Sequence, residues 1–233
     1  MNVDNMVERL EEEIGYKFKN IELLLEAVTH SSYTNEMKIN KRNHYERLEF
    51  LGDAVLELIS SEYLFNKYSD VSEGVLSKKR ASMVCEHSLA ICAVNMNLGT
   101  YIFFGKGEEA AGGREKESIL ADVTEAVLGA IYLDGGLGPA KEYVYNKVLL
   151  KLLEEQLFVD SKTILQEYVQ HLNPPKSIEY VLLEEKGPEH DKSFVTAVLL
   201  DGTVCGKGSG KTKKAAQQKA AYDAVISLKI KEI

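Results

Sequence analysis

Hydrophobic positions in the first 157 residues recur every three or four residues, which is the period of a helix that buries one face. This pattern predicts helices over residues 7–18, 21–30, 46–65, 73–96, 119–133 and 140–157. Loops are predicted at 70–74 and 105–113, where glycine and acidic residues interrupt the pattern. The first part of the chain is therefore predicted to be all-helical.

From about residue 160 the pattern changes to helix, three strands and helix. A helix over 163–172 is predicted to end before Asn173-Pro174-Pro175, because proline does not continue a helix. Strands are predicted over 178–187, 193–202 and 203–208, with a hairpin turn at the sequence DGT and a last helix from near Thr212. The predicted fold is multi-domain, with an all-α domain at 1–153, a linker at 154–160 and a small α+β domain (α-β-β-β-α) at 161–230.

The charge of the chain is unevenly distributed. The 233 residues carry a formal net charge of −8. Residues 1–159 hold 17 basic and 26 acidic side chains, whereas residues 160–233 hold 11 and 10. Five lysines and no acid occur within 206–219. The acidic average by itself argues against a nucleic-acid partner, but this locally basic stretch means that the average does not exclude one.

Several function classes are disfavoured by simple counts. No apolar run reaches the ~18–20 residues of a membrane span, so no membrane partner is expected. The N-terminal segment is acidic and amphipathic and does not resemble a signal peptide, which favours a cytoplasmic location. Cys85, Cys92 and Cys205 are odd in number and form no C-x-x-C pair, so we predict buried, reduced thiols.

Two apolar helices are interrupted by acidic residues. In the segment 46–58, Glu46, Glu49 and Asp53 fall within about 60° of one another around a helix axis. In the segment 119–133, Asp122 and Glu125 are three residues apart and share a face. If the two helices faced each other, a pair of acids from each would form a cage of four carboxylates.

Such an arrangement admits two interpretations. Clustered carboxylates repel one another, and a hard divalent cation relieves the repulsion. Oxygen ligands without His or Cys favour Mg²⁺ or Mn²⁺ and disfavour zinc. Acids at helical spacing are more commonly a solvated face, however, and Arg47 is available for ion pairing. The residue pattern alone leaves both interpretations open.

Four stretches of the chain resemble the ribonuclease III family. They are AVTHSSY at 27–33, ERLEFLGDAVLEL at 46–58, EGVLSKKRA at 73–81 and GGREKESILADVTEAVLGAIYLDGG at 112–136, and they occur in the family's order. Together with the C-terminal part, the resemblance covers essentially the whole chain. It implies that Glu49, Asp53, Asp122 and Glu125 bind metal, with Asp53 and Glu125 catalytic and with Glu49 and Glu125 as direct Mg²⁺ ligands.

Two further acids have less certain roles in this resemblance. Glu46 matches an acid that the family places near its dimer interface. Glu73 is a possible accessory acid beside the site, although an acid in the first turn of a helix is equally explained by the helix dipole.

The glycine-rich stretch GKGSGKTKK at 206–214 does not match a P-loop, because Cys205 occupies the position of the first required glycine. ATP is therefore not an expected ligand. The stretch resembles the third motif of the double-stranded RNA-binding domain, which implies RNA contacts from Lys211, Lys213 and Lys214. Gln217 departs from the glutamate that is usual there.

The other two motifs of that domain are also present. TILQEYVQ resembles its first helix, with Gln166 and Glu167 at the minor-groove positions. GPEHDKSF resembles the loop between its first two strands, which places His190 in a minor groove. Together these elements would recognise A-form RNA by shape over about 16 base pairs.

The resemblance as a whole implies a homodimeric endoribonuclease that is specific for double-stranded RNA and dimerises through its catalytic domain. It implies Mg²⁺ as cofactor with Mn²⁺ as a substitute, products with 5′-phosphate and 3′-hydroxyl ends and short 3′ overhangs, and a role in processing ribosomal RNA precursors and other RNAs. Two alternatives are a duplex-binding module that does not cleave, and a metal-dependent hydrolase of other phosphoesters. The four carboxylates disfavour the first alternative, and the lysine-rich C-terminal part disfavours the second.

Overall fold

A computed structural model describes residues 3–38, 43–188 and 192–230, and within them all side chains except those of residue 3 and of 153–156. The chain divides into two compact units, Met1–Leu152 and Leu153–Ile233. The first unit is helical and the second combines helix and sheet, as the sequence predicts.

The first unit contains helices of very different lengths. They are α1 (Val3–Ile14), α2 (Ile21–Ala27), α3 (Ser31–Met37), α4 (Glu46–Lys67), α5 (Glu73–Met83), α6 (Glu86–Asn95), α7 (Lys106–Ala110), α8 (Glu117–Gly135) and α9 (Leu137–Tyr143). A π-helical segment, Val144–Leu149, leads into α10 (Leu150–His171).

Helix α8 lies at the centre of the first unit, packed against α2, α4, α6 and α9. Between Ile119 and Ile131 every side chain is buried except those of Asp122 and Glu125, which are half-buried. A helix surrounded on all sides is apolar all round and shows no single hydrophobic stripe. The two acids and Thr124 are thus the polar residues within this run of α8 from Ile119 to Ile131.

The second unit is a three-stranded antiparallel sheet covered by helix. Its strands are β1 (Ile178–Lys186), β2 (Ser193–Leu200) and β3 (Thr203–Gly210), in the order β1-β2-β3, and α11 (Lys213–Ser227) packs on β3 and β2. Asp201 and Gly202 both have positive φ, of 47° and 78°. This is the geometry of a type I′ hairpin turn, so the predicted DGT turn is confirmed.

Three local differences from the sequence prediction concern where helices begin and end. The predicted helix at 73–96 breaks into α5 and α6 at Cys85, which is extended (φ −75°, ψ 160°). Residues 105–113, predicted as a loop, contain the short helix α7. The predicted linker 154–160 lies inside α10 and is helical. It contains neither glycine nor proline, so no residue in it interrupts the helix.

The cysteines form no disulfide. Cys92 is buried and Cys205 is half-buried, but Cys85 is exposed at the break between α5 and α6. The prediction of burial was therefore wrong for Cys85. Among the helices of the described residues, none is long and apolar enough to cross a membrane.

Candidate metal centre and RNA-binding residues

Helices α4 and α8 approach each other unusually closely, because each presents a glycine to the other. A methyl group on Gly52 would collide with the backbone carbonyl of Glu125, and one on Gly129 would collide with the backbone carbonyl of Leu48. Only glycine allows such an approach between two helix backbones. The crossing point of the two helices is thus fixed beside Glu125.

This crossing brings the acids of the two helices onto one surface. Glu49 and Asp53 lie one turn apart on α4, on either side of Gly52, and Asp122 lies one turn before Glu125 on α8. Burial, together with the charges of the other three acids, raises the pKa of Glu125 to about 8. We refer to Glu49, Asp53, Asp122 and Glu125 as the four-carboxylate cluster.

Two other members of the cluster also hold a proton more tightly than usual. Burial raises the pKa of Glu49, and the charges of Asp122, Glu46 and Asp53 act in the same direction. Burial likewise raises the pKa of Asp122. The pKa values of Glu49 and Glu125 thus respond to the charges of neighbouring acids, as expected of carboxylates that share a site.

Tyr45 is a further residue at this site that sequence reasoning did not identify. Its hydroxyl donates a hydrogen bond of 3.3 Å to Oδ2 of Asp122, and its side chain is buried. Burial and the adjacent charge of Asp122 raise the pKa of Tyr45. The sequence offered little signal for this contact, since the two residues are 77 positions apart.

The donor atoms of the four-carboxylate cluster suit a hard divalent cation, since they are all oxygen and their charges repel one another. In residues 3–38, 43–188 and 192–230, however, no three acidic, histidine or cysteine side chains converge closely enough to form a ready-made ion site. The carboxylates of the cluster therefore lie on one surface without forming a preorganised ion site among the described residues.

The two accessory acids lie in different surroundings. Glu46 is exposed, and it lines a largely apolar groove together with Phe50 and Leu133. Glu73 begins α5, where its carboxylate accepts a 2.7 Å hydrogen bond from Ser77. Within the described residues, Glu73 is not among the charges that shift the pKa values of the cluster.

In the second unit, the lysine-rich stretch forms the start of α11. The Thr212 side chain caps the helix by accepting a hydrogen bond from the Ala215 backbone N–H. Lys211, Lys213 and Lys214 are exposed around this terminus, and Lys213 lies 3.8 Å from Glu185. Free backbone N–H groups and lysines together attract anions such as phosphate.

The remaining predicted RNA contacts are Gln166, Glu167 and His190. Gln166 and Glu167 are exposed on α10. His190 lies outside the described residues, so its position is not assigned. Gln217, which departs from the family pattern, accepts a 3.0 Å hydrogen bond from Lys162 Nζ.

Comparison with known proteins agrees with this division into two parts. The family model for "Ribonuclease-III-like" matches residues 20–152, and the model for "Double-stranded RNA binding motif" matches residues 161–228. Ribonuclease 3 of Caldanaerobacter subterraneus subsp. tengcongensis is 49% identical over 228 residues, covering 97% of this chain and 99% of that protein. Ribonuclease 3 of Listeria monocytogenes is 48% identical over 227 residues, covering 96% and 98%.

Solved structures give the same result for the first unit. The chain is similar to two structures of the nuclease domain of ribonuclease III from Campylobacter jejuni, each 46% identical and covering 64% of this chain. Their TM-scores are 0.57 and 0.56, and the match covers 96% and 94% of those chains. This chain therefore belongs to the ribonuclease III family and is an endoribonuclease specific for double-stranded RNA.

Proposed function

We propose that the four-carboxylate cluster is the active site and that it uses Mg²⁺, with Mn²⁺ as a substitute. The supporting observation is that two closely packed helices place four acids on one surface, where burial raises the pKa values of Glu49, Asp122 and Glu125. Glu49 and Glu125 would bind the cation directly, and Asp53 and Asp122 would complete its surroundings. Asp53 and Glu125 are the proposed catalytic residues.

A bound divalent cation supplies activation of water and stabilisation of charge on the phosphate. The chain's own part is to hold the carboxylates in place and to keep Glu125 in a partly dry environment. We infer that hydrolysis leaves 5′-phosphate and 3′-hydroxyl ends with short 3′ overhangs, and that no ATP is needed. Ribosomal RNA precursors and other structured RNAs in the cytoplasm are the proposed substrates.

Duplex binding is assigned to the second unit, whose family model is a double-stranded RNA-binding motif. The start of α11 would contact phosphates through Lys211, Lys213 and Lys214. The exposed Gln166 and Glu167 on α10 would contact a minor groove, and His190 is proposed for the next minor groove.

We also propose a homodimer formed through the first unit. Phe50 is 80% exposed on α4, beside a groove lined by Leu23, Leu51 and Leu133. A two-fold interface can pair such a projection with the same groove of a second copy. The Campylobacter nuclease domain is described as having a region involved in dimer formation. Glu46 lines this groove, which supports a role for it at the dimer interface.

Replacement of Glu125 by Gln tests the active site. Glu125→Gln is expected to reduce cleavage of a labelled RNA duplex by at least about 1000-fold with Mg²⁺, because it removes a ligand charge. Duplex binding measured in EDTA is expected to remain unchanged, since Glu125 belongs to the first unit. Glu142→Gln, an exposed acid on α9, is the matched control.

The second arm of this experiment separates binding from catalysis. Lys213→Ala combined with Lys214→Ala is expected to weaken duplex binding and to reduce the salt dependence of binding by up to about two counterions. Full activity of Glu125→Gln would exclude the proposed active site. An unchanged salt slope in the double variant would exclude the two lysines as phosphate contacts.

A further inference from the structure

Tyr45 is held rigidly at the point where the chain enters α4. Its side chain is only 5% exposed, and its backbone N–H donates a 3.0 Å hydrogen bond to the carbonyl of Thr29. Its ring lies 5.7 Å from the ring of His30, centroid to centroid. A buried, backbone-anchored ring has few alternative rotamers, so its hydroxyl points in a defined direction.

That direction leads to the four-carboxylate cluster. The hydroxyl donates to Oδ2 of Asp122 at 3.3 Å, which links the start of α4 with α8. Asp122 is one of only two acids in the buried run of α8. A carboxylate with one oxygen held by a fixed donor has its second oxygen directed elsewhere. Tyr45 thus restricts the orientation of Asp122 without itself being an acid or a charge.

We propose that Tyr45 is a positioning residue that holds Asp122 ready for divalent-cation binding. This inference rests on the proposed function, because it takes the four-carboxylate cluster as the cation site. Under this proposal, cation binding depends on the Tyr45 hydroxyl, a neutral hydrogen-bond donor to Asp122, as well as on the carboxylates. Partners behind metal ligands fix ligand orientation, and their loss commonly costs about 10–100-fold in metal affinity.

A purely structural role makes a different prediction. If Tyr45 serves only to fill the core, Tyr45→Phe keeps the ring and has no effect on cation affinity. If it positions Asp122, Tyr45→Phe weakens cation binding about 10-fold while the melting temperature stays close to that of the wild type.

Tyr143 provides a matched control for the loss of a hydroxyl. It is also a buried tyrosine of the first unit, and within the described residues its hydroxyl has no hydrogen-bond partner. Tyr143→Phe therefore removes the same atom from an equally buried site, and it is expected to leave cation affinity unchanged.

The test measures Mn²⁺ binding to the full chain by calorimetry, without RNA. Wild type, Tyr45→Phe, Tyr143→Phe and Glu125→Gln are compared after removal of metal, and melting temperature is recorded for each. Affinity that falls in Tyr45→Phe but not in Tyr143→Phe supports the inference. Equal affinity in the two tyrosine variants overturns it.

A double-variant cycle with Asp122→Asn shows whether Tyr45 acts through Asp122. The effect of Tyr45→Phe on Mn²⁺ affinity is expected to shrink to less than about two-fold in the Asp122→Asn background. If Tyr45→Phe lowers Mn²⁺ affinity as much in the Asp122→Asn background as in the wild type, Tyr45 does not act through Asp122. Absence of Mn²⁺ binding in the wild type would instead exclude the cation site itself. If Mn²⁺ affinity is lost in Glu125→Gln but unchanged in Tyr45→Phe, only the role of Tyr45 is excluded.

Discussion

At the scale of single residues, the four-carboxylate cluster takes two of its acids from the buried run of α8, and Tyr45 contacts one of them. Asp122 and Glu125 are visible in the sequence because they interrupt an apolar run, and the structure places them in a helix that is otherwise buried. The contact of Tyr45 with Asp122 joins residues 77 positions apart. Spacing along one helix predicts which side chains share a face, but it carries no information about a contact between two helices.

Asp134 gives a residue-scale prediction about pH. Its carboxylate accepts hydrogen bonds from the Tyr16 hydroxyl (2.7 Å) and from the backbone N–H groups of Lys19 (2.9 Å) and Asn20 (2.8 Å). These bonds lower the pKa of Asp134 despite some burial. We expect Asp134→Asn to lower the free energy of unfolding by about 1–2 kcal/mol at pH 7, because an amide cannot accept all three bonds.

The pH dependence of this difference follows from the sign of the shift. The pKa of Asp134 is lower in the folded chain than its unfolded value of about 3.9, so the carboxylate stabilises the fold fully above that value. The stabilisation is lost as the pH falls through the folded pKa. Denaturation in urea from pH 7 to pH 3 should show the wild type and Asp134→Asn converging; a constant difference would contradict the assignment.

At the scale of elements, two glycines determine how α4 and α8 pack. Glycine weakens an isolated helix, so sequence rules treat Gly52 and Gly129 as mild defects in good helices. The need for glycine at these positions follows from the position of the facing backbone, because a side chain at either one would occupy the space of a carbonyl group. The helices themselves were therefore predictable, whereas the crossing that creates the four-carboxylate cluster was not.

Gly52→Ala tests whether this crossing supports the site. The added methyl group has no room beside the Glu125 carbonyl, so α4 and α8 must separate. We expect a loss of about 3 kcal/mol in the free energy of unfolding, together with loss of RNA cleavage in the fraction that remains folded. Chemical denaturation and a cleavage assay at low temperature measure the two effects.

Gly138→Ala is the matched control on a helix with free space. A methyl group on Gly138 in α9 meets no atom within 4 Å, so this change should be neutral or should stabilise the helix by up to about 1 kcal/mol. Equal effects of the two alanine substitutions would show that helix propensity, and not the close approach, decides the outcome.

The glycine-rich stretch before α11 also has an explanation at the scale of elements. Gly206, Gly208 and Gly210 alternate along β3, so all three face the same side of the sheet. At each of them a Cβ atom would collide with residues of α11. The spacing that resembles a nucleotide-binding loop is therefore a packing requirement between strand and helix.

At the scale of the whole molecule, acidic and basic regions have separate tasks. The first unit concentrates acids that repel one another, whereas the start of α11 in the second unit carries exposed lysines. A net charge of −8 describes neither region. The two-part organisation followed from the change of hydrophobic period near residue 160. The helical conformation of 154–160 did not, because a change of period marks a domain boundary without specifying the conformation of the residues that join the domains.

The proposed homodimer gives the last prediction. Phe50→Glu places a charge on a side chain that is 80% exposed beside the apolar groove of Leu23 and Leu133. Burying that charge in a two-fold interface would occur twice, because the same contact repeats in each copy. We expect Phe50→Glu to weaken dimerisation by at least about 100-fold, measured by sedimentation velocity over a concentration series.

The control is Val94→Glu on α6, where the side chain is also well exposed, at 61%. This variant should remain dimeric if the interface is the surface around Phe50, since a new charge on an ordinary solvated surface costs little. Dimerisation of Phe50→Glu at wild-type strength would place the interface elsewhere. A monomeric wild type at the same concentrations would exclude the homodimer.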